Sequence, residues 1–163
     1  MHGKIVVTEV GYRLAFTRDL PASAERVWTM LTDPADRATW LFDGIIEPRV
    51  GGVVDLFDCD HHVTGRVIAW DPPNLLALTW SSPDAPQGEV RFELTDIMPE
   101  TCRLRVVHSA GCDARPRSLA AGWHAMLDRL HHGMAGTSPD DRPTFADLVR
   151  EYHDVPIVPA DRS

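Results

Sequence analysis

The sequence predicts an α+β domain in which one long helix, late in the chain, lies across the concave side of a curved antiparallel sheet. Three observations lead there. Across residues 118–136 the apolar side chains Leu119, Trp123, Met126, Leu127, Leu130 and Met134 keep one stripe on a helix of 3.6 residues per turn. Most of the chain before that stretch alternates apolar and polar residues with the period of half-buried strands. At 163 residues the chain has the size of one domain, so the wide helical stripe and the apolar sheet face are each other's natural cover.

In chain order, residues 4–19 read as a first strand, with Val6, Thr8, Val10, Tyr12, Leu14 and Phe16 on one face. Pro21-Ala22-Ser23 breaks that pattern. Ala24, Val27, Trp28 and Leu31 then recur at helical spacing, with Glu25 placed where the helix dipole favours an acid. Asp33-Pro34 ends this two-turn helix and caps a second short one that runs to about Trp40. Residues 45–49, 53–58, 63–70 and 75–80 form short β-rich runs separated by turn signals, and residues 81–86 read as a loop. The alternation is cleanest at Val90, Phe92 and Leu94 and again at Cys102, Leu104, Val106 and His108, which places His108 inward under the long helix. Ser118 is the expected N-cap of that helix, after Arg115-Pro116, and Gly133 or Gly136 its left-handed end. Thr144 and Asp147 make a capping box for a short helix bearing Phe145, Leu148, Val149 and Tyr152, and the tail from Val155 is expected to be extended and partly mobile.

Composition excludes several functions. The formal charge of −8, with a single lysine at Lys4, gives no basic patch for nucleic acid. Three cysteines, Cys59, Cys102 and Cys112, show no CxxC spacing, and neither a signal peptide nor an apolar run near 18 residues is apparent, so a reduced, cytoplasmic protein with no membrane span is expected.

Several strings sharpen the reading: Ala24-Glu25-Arg26-Val27-Trp28; Arg49-Val50-Gly51-Gly52; Gly65-Arg66-Val67 leading to Pro72-Pro73-Asn74-Leu75 and Thr79-Trp80; Thr101-Cys102-Arg103-Leu104 leading to His108; and Gly122-Trp123 with Leu127 and Leu130. In this order, within a strand, two short helices, a six-strand meander and a long helix, they resemble the helix-grip fold of the START-like (SRPBCC) superfamily. The branch they resemble is that of the activator of heat-shock-protein-90 ATPase homologues. The resemblance implies a domain over residues 1–138, followed by an extension, 139–163, with a short helix and a proline-containing tail. It also implies a cavity between sheet and long helix for apolar ligands, which a minority of members use for cyclisation or hydrolysis.

On this reading Trp40, Trp80, Phe92, His108, Trp123 and Met126 are the candidate ligand-binding residues, an apolar set with one or two polar groups as small-molecule sites have. Plain core filling is the competing account of the same side chains. His108 is the candidate catalytic base, though no nucleophile, partner carboxylate or metal motif completes a mechanism, and the reading leans away from an enzyme. His124, Asp128 and His132 share a helix face with a spacing that can meet zinc, yet they read as a solvated polar face, and no metal or cofactor is expected. The residues from Asp58 to His62 read as a polar turn. The expected function is binding of a small apolar or aromatic molecule, as carrier or sensor. The alternatives are a protein-interaction module, with a second copy or a chaperone as partner, and a cyclase or aromatase using the same cavity.

Overall fold

A computed structural model describes residues 2–137 and 142–160. The elements are β1 (Lys4–Thr8), β2 (Gly11–Leu20), α1 (Ala24–Thr32), α2 (Pro34–Ala38), β3 (Asp43–Ile46), β4 (Val53–Phe57), β5 (His62–Asp71), β6 (Leu75–Ser82), β7 (Ala85–Met98), β8 (Thr101–Gly111), α3 (Pro116–Ala135), α4 (Phe145–His153) and β9 (Ile157–Pro159). One nine-stranded, curved and unclosed sheet has the order β3-β4-β5-β6-β7-β8-β2-β1-β9. All its pairs are antiparallel except β1 with β9. The six-strand meander and the helix across its concave face are as the sequence predicts.

Period-two alternation decides which side chains face α3. Val90, Phe92 and Leu94 of β7 and Cys102, Leu104, Val106 and His108 of β8 are all buried, while Arg91, Arg103 and Arg105 between them face solvent. From the other side α3 contributes Ala120, Ala121, Trp123, Met126, Leu127 and Leu130. The main core also takes in α1, whose N-cap Ser23 accepts from the Arg26 N–H, while α2, whose N-cap Asp33 accepts from the Asp36 N–H, buries only Arg37.

Four local expectations are corrected. The first strand is two, β1 and β2, because Glu9 and Val10 form a tight turn that leaves Val10 exposed. Residues 81–86 form a tight hairpin between β6 and β7, closed by Ser82 pairing with Ala85. Helix α3 begins at Pro116, two residues before Ser118, since proline lacks the N–H that a first helical position leaves unpaired; it ends at Gly136 with φ 69°. The tail beyond α4 is a strand, with Ile157, Val158 and Pro159 paired to Ile5, Val6 and Val7. The boundary at 138/139 and the last three residues of the tail lie outside the described residues.

Helix α4 starts with the capping box in full: Thr144 Oγ1 accepts from the Asp147 N–H at 3.1 Å, and Asp147 Oδ2 accepts from the Thr144 N–H at 3.0 Å. Thr144→Ala is expected to cost about 1 kcal/mol, read as a lower urea midpoint with an unchanged m-value; no change in midpoint would show that the box does not hold α4.

Candidate ligand-binding cavity

The sheet and α3 do not meet everywhere. At one end, between the β4–β5 turn, the β6–β7 turn and the first three turns of α3, they leave a cavity of about 370 Å³. Its walls are aromatic. Trp80 comes from the end of β6, Trp123 from the middle of α3, Phe42 from the segment before β3, and Phe145 from the first position of α4. Trp80 lies 5.4 Å from Trp123 and 6.1 Å from Phe42 between ring centroids, so the rings form a continuous surface and not isolated contacts. Met126 adds a soft apolar side chain that can follow the shape of an occupant.

Charge is confined to the mouth, where Asp58, Asp60, His61, Asp84 and Arg129 stand. The Asp58 carboxylate accepts from the backbone N–H groups of Asp60 and His61 and from the His61 ring, whose Nδ1 lies 2.9 Å from Oδ1. Partial burial pulls the Asp58 carboxyl upward, but these donors outweigh it and hold it below the usual carboxylate range. The sequence placed a polar turn here, and the turn is built around this carboxylate.

Of the six candidate residues, Trp80, Trp123 and Met126 line the cavity. Phe92 stands behind Trp123, edge to face at 5.9 Å, and is fully buried. Trp40 is turned away: its Nε1 donates to the Met30 carbonyl at 2.8 Å, while its own carbonyl accepts from Arg129 at 3.2 Å and so steadies a residue of the mouth. His108 also lies behind the wall, and its Nδ1 accepts from Trp123 Nε1 at 3.0 Å. That bond assigns the proton of the neutral ring to Nε2, which is buried without a partner. Burial pushes the His108 imidazole down to about 4, so it is neutral at physiological pH. The one lone pair that could take a proton is already used by Trp123, so His108 sets the orientation of the Trp123 indole.

Phe42, His61, Arg129 and Phe145 were missed from the sequence. Phe42 lies in an irregular segment without periodicity, and Phe145 shares its helix face with the buried Leu148 and Tyr152, so helical spacing alone does not separate it from the core.

The His124, Asp128 and His132 face is corrected in one respect. It is not solvated throughout, because α4 covers His124, whose Nδ1 meets the Tyr152 hydroxyl at 2.9 Å and whose Nε2 faces Asp128 at 3.6 Å. His132 instead bonds Thr137. Among the described residues no group of three His, Cys, Asp or Glu side chains is arranged to hold a metal ion, and no helix is long and apolar enough to cross a membrane.

A family profile described as activator of Hsp90 ATPase homolog 1-like protein matches residues 21–135, from before α1 to the end of α3. The chain belongs to this family. Such proteins are often ligand-binding or polyketide cyclase-like. Solved structures of similar fold extend the likeness beyond the matched segment. CalU16 from Micromonospora echinospora has a TM-score of 0.74 at 19% identity, covering 92% of this chain and 91% of that one. EF2215 from Enterococcus faecalis, a conserved protein of unknown function, has a TM-score of 0.73 at 20% identity, with 93% and 88% covered. The protein encoded by BPP1335 of Bordetella parapertussis has a TM-score of 0.72 at 29% identity, with 89% and 86% covered. No curated protein matches the chain.

Proposed function

We propose that this activator-homologue protein binds a small apolar or aromatic molecule in the cavity under α3. The observation that carries the reading is the wall of Trp80, Trp123 and Phe42 around about 370 Å³ of space, with charge only at the rim. That volume is within the range of roughly 300–1,000 Å³ usual for small-molecule sites. Stacking on the indoles supplies affinity, and the polar mouth fixes which end of the molecule points outward. His108, the base on which the cyclase reading rests, already uses its one lone pair for Trp123, and carrier or sensor is the reading favoured here.

Gly122 provides a test that leaves the core intact. It lines the cavity, and a Cβ built on it meets no atom within 4 Å. Gly122→Leu is therefore expected to fill the cavity while raising stability by roughly 0.5–1 kcal/mol, because glycine inside a helix is costly. With N-phenyl-1-naphthylamine as a fluorescent probe, the affinity should fall at least tenfold as the melting temperature holds or rises. Unchanged affinity in a folded variant would overturn the cavity reading. Native mass spectrometry of the wild-type protein, set beside a denatured extract, then identifies any co-purified ligand.

The interaction-module reading has one observation in its favour. Ile45, Phe57 and Ile68 are exposed on β3, β4 and β5. A self-association equilibrium in sedimentation that Phe57→Ser abolishes would support it.

A further inference from the structure

The buried polar cluster behind α4 has no part in the cavity chemistry above. We propose that α4 is a lid over the cavity, that the hydrogen bond between Tyr152 and His124 is its latch, and that protonation of His124 opens it. The consequence for a ligand rests on the cavity being the binding site.

Two ends of α4 do different work. Phe145, at its start, stands at the cavity mouth and is half exposed. Leu148 and Tyr152 are fully buried against the rest of the protein, and Tyr152 carries the polar contact. Its hydroxyl oxygen accepts from the Gly3 N–H at 2.7 Å and lies 2.9 Å from His124 Nδ1. A hydroxyl has one proton to give. With Gly3 as donor and the Nε2 side of the ring turned to Asp128 at 3.6 Å, that proton goes to Nδ1 of a neutral imidazole. The Gly3 N–H, the Tyr152 hydroxyl and His124 Nδ1 are then all paired, and the Nε2–H is directed toward the Asp128 carboxylate.

Adding a proton from solvent at Nδ1 breaks this order without breaking any covalent bond. Both ring nitrogens become donors, and the Tyr152 proton is left facing a donor in a place without solvent. The surroundings work mainly against the added charge. Burial favours the neutral ring most; Asp128 on α3 opposes it; Arg18 on β2 and His2 add to the burial effect. From α4, Glu151 faces His2 at 2.8 Å, and the His2 ring lies 5.8 Å from His124. The His124 imidazole accordingly sits below its ordinary value of 6.5 when α4 is docked. The closed form thus binds fewer protons than the open one, so closure is favoured above about pH 6.5 and weakens as pH falls. Beyond α4 the chain stays tethered, because the Val155 carbonyl accepts from Arg117 and β9 pairs with β1. Opening is a local tilt of α4 away from the mouth.

The test compares the full chain with His124→Gln, whose amide oxygen can still accept from Tyr152 but does not titrate, and with His2→Gln. Hydrogen exchange is measured on α4 at pH 7.5 and 5.5, corrected for intrinsic rates, beside the dissociation rate of N-phenyl-1-naphthylamine. In the wild type the open fraction of α4 should rise by up to about tenfold at the lower pH, the limit set by an ordinary histidine in the open form, and probe release should speed up in proportion. His2→Gln should keep both effects and His124→Gln should lose both. An exchange difference that survives in His124→Gln, or its absence in the wild type, overturns the latch. Faster exchange without faster release overturns the lid. A probe that binds at neither pH counts against the cavity reading alone, and α4 exchange still decides the latch.

Discussion

Replacing Arg37 by methionine is expected to lower stability by about 3–5 kcal/mol, the largest loss we expect from any single side chain described above. Arg37 is fully buried on α2. Its Nε donates to the Phe42 carbonyl, Nη1 to those of Leu31 and Thr32, and Nη2 to that of Gly44. One guanidinium thus joins the last turn of α1 to the segment leading into β3, and that segment carries Phe42, a wall of the cavity. Burial lowers the Arg37 pKa, and the negative charges of Asp43 and Asp33 work against that shift. Methionine keeps much of the volume but leaves four carbonyls without their donor. For a chain of this size the melting temperature should fall by roughly 10 °C. Arg37→Lys should recover little of it, since an ammonium cannot reach four acceptors in a planar fork. A loss below 1 kcal/mol for the methionine variant would mean that water replaces the guanidinium at these carbonyls.

The second large effect depends on pH. His108 titrates near 6.5 in an unfolded chain and at about 4 in the folded one, so the unfolded state binds the extra proton across that window. The contribution is intact above pH 6.5 and lost progressively as pH falls to 4, about 3 kcal/mol in all. His108→Gln keeps an acceptor for Trp123 Nε1 and has nothing to titrate. Urea unfolding at pH 7 and at pH 4 should therefore show a wild-type loss about 3 kcal/mol greater than that of the variant. The acid sensitivity that His124 contributes is common to both proteins and drops out of the comparison. Equal losses would show that His108 is not kept neutral by its burial.

Much of the fold was legible because its elements are regular. Alternation in β7 and β8 and the stripe on α3 are local patterns repeated often enough to decide which way each side chain faces, and His108 under Trp123 follows from the two together. The tight turn at Glu9 and Val10 was not legible, since the apolar Val10 continues the alternation through the turn. Arg37 shows the limit more sharply: a charged residue in a five-residue helix reads as solvent-facing, and its four acceptors come from residues that leave no mark on the sequence around it. His124 was misread for a related reason. Its exposure depends on where α4 docks, and helical periodicity within α3 says nothing about that.

The two ends of the sheet also limit how this protein can associate. One outer strand, β3, has four residues, and the other, β9, has three, with Pro156 before it and Pro159 closing it. Neither presents a run of free N–H and C=O groups long enough to template another chain. A strand from a neighbouring molecule gains little by adding itself at either edge, so the large open sheet carries small risk of growing into fibrils.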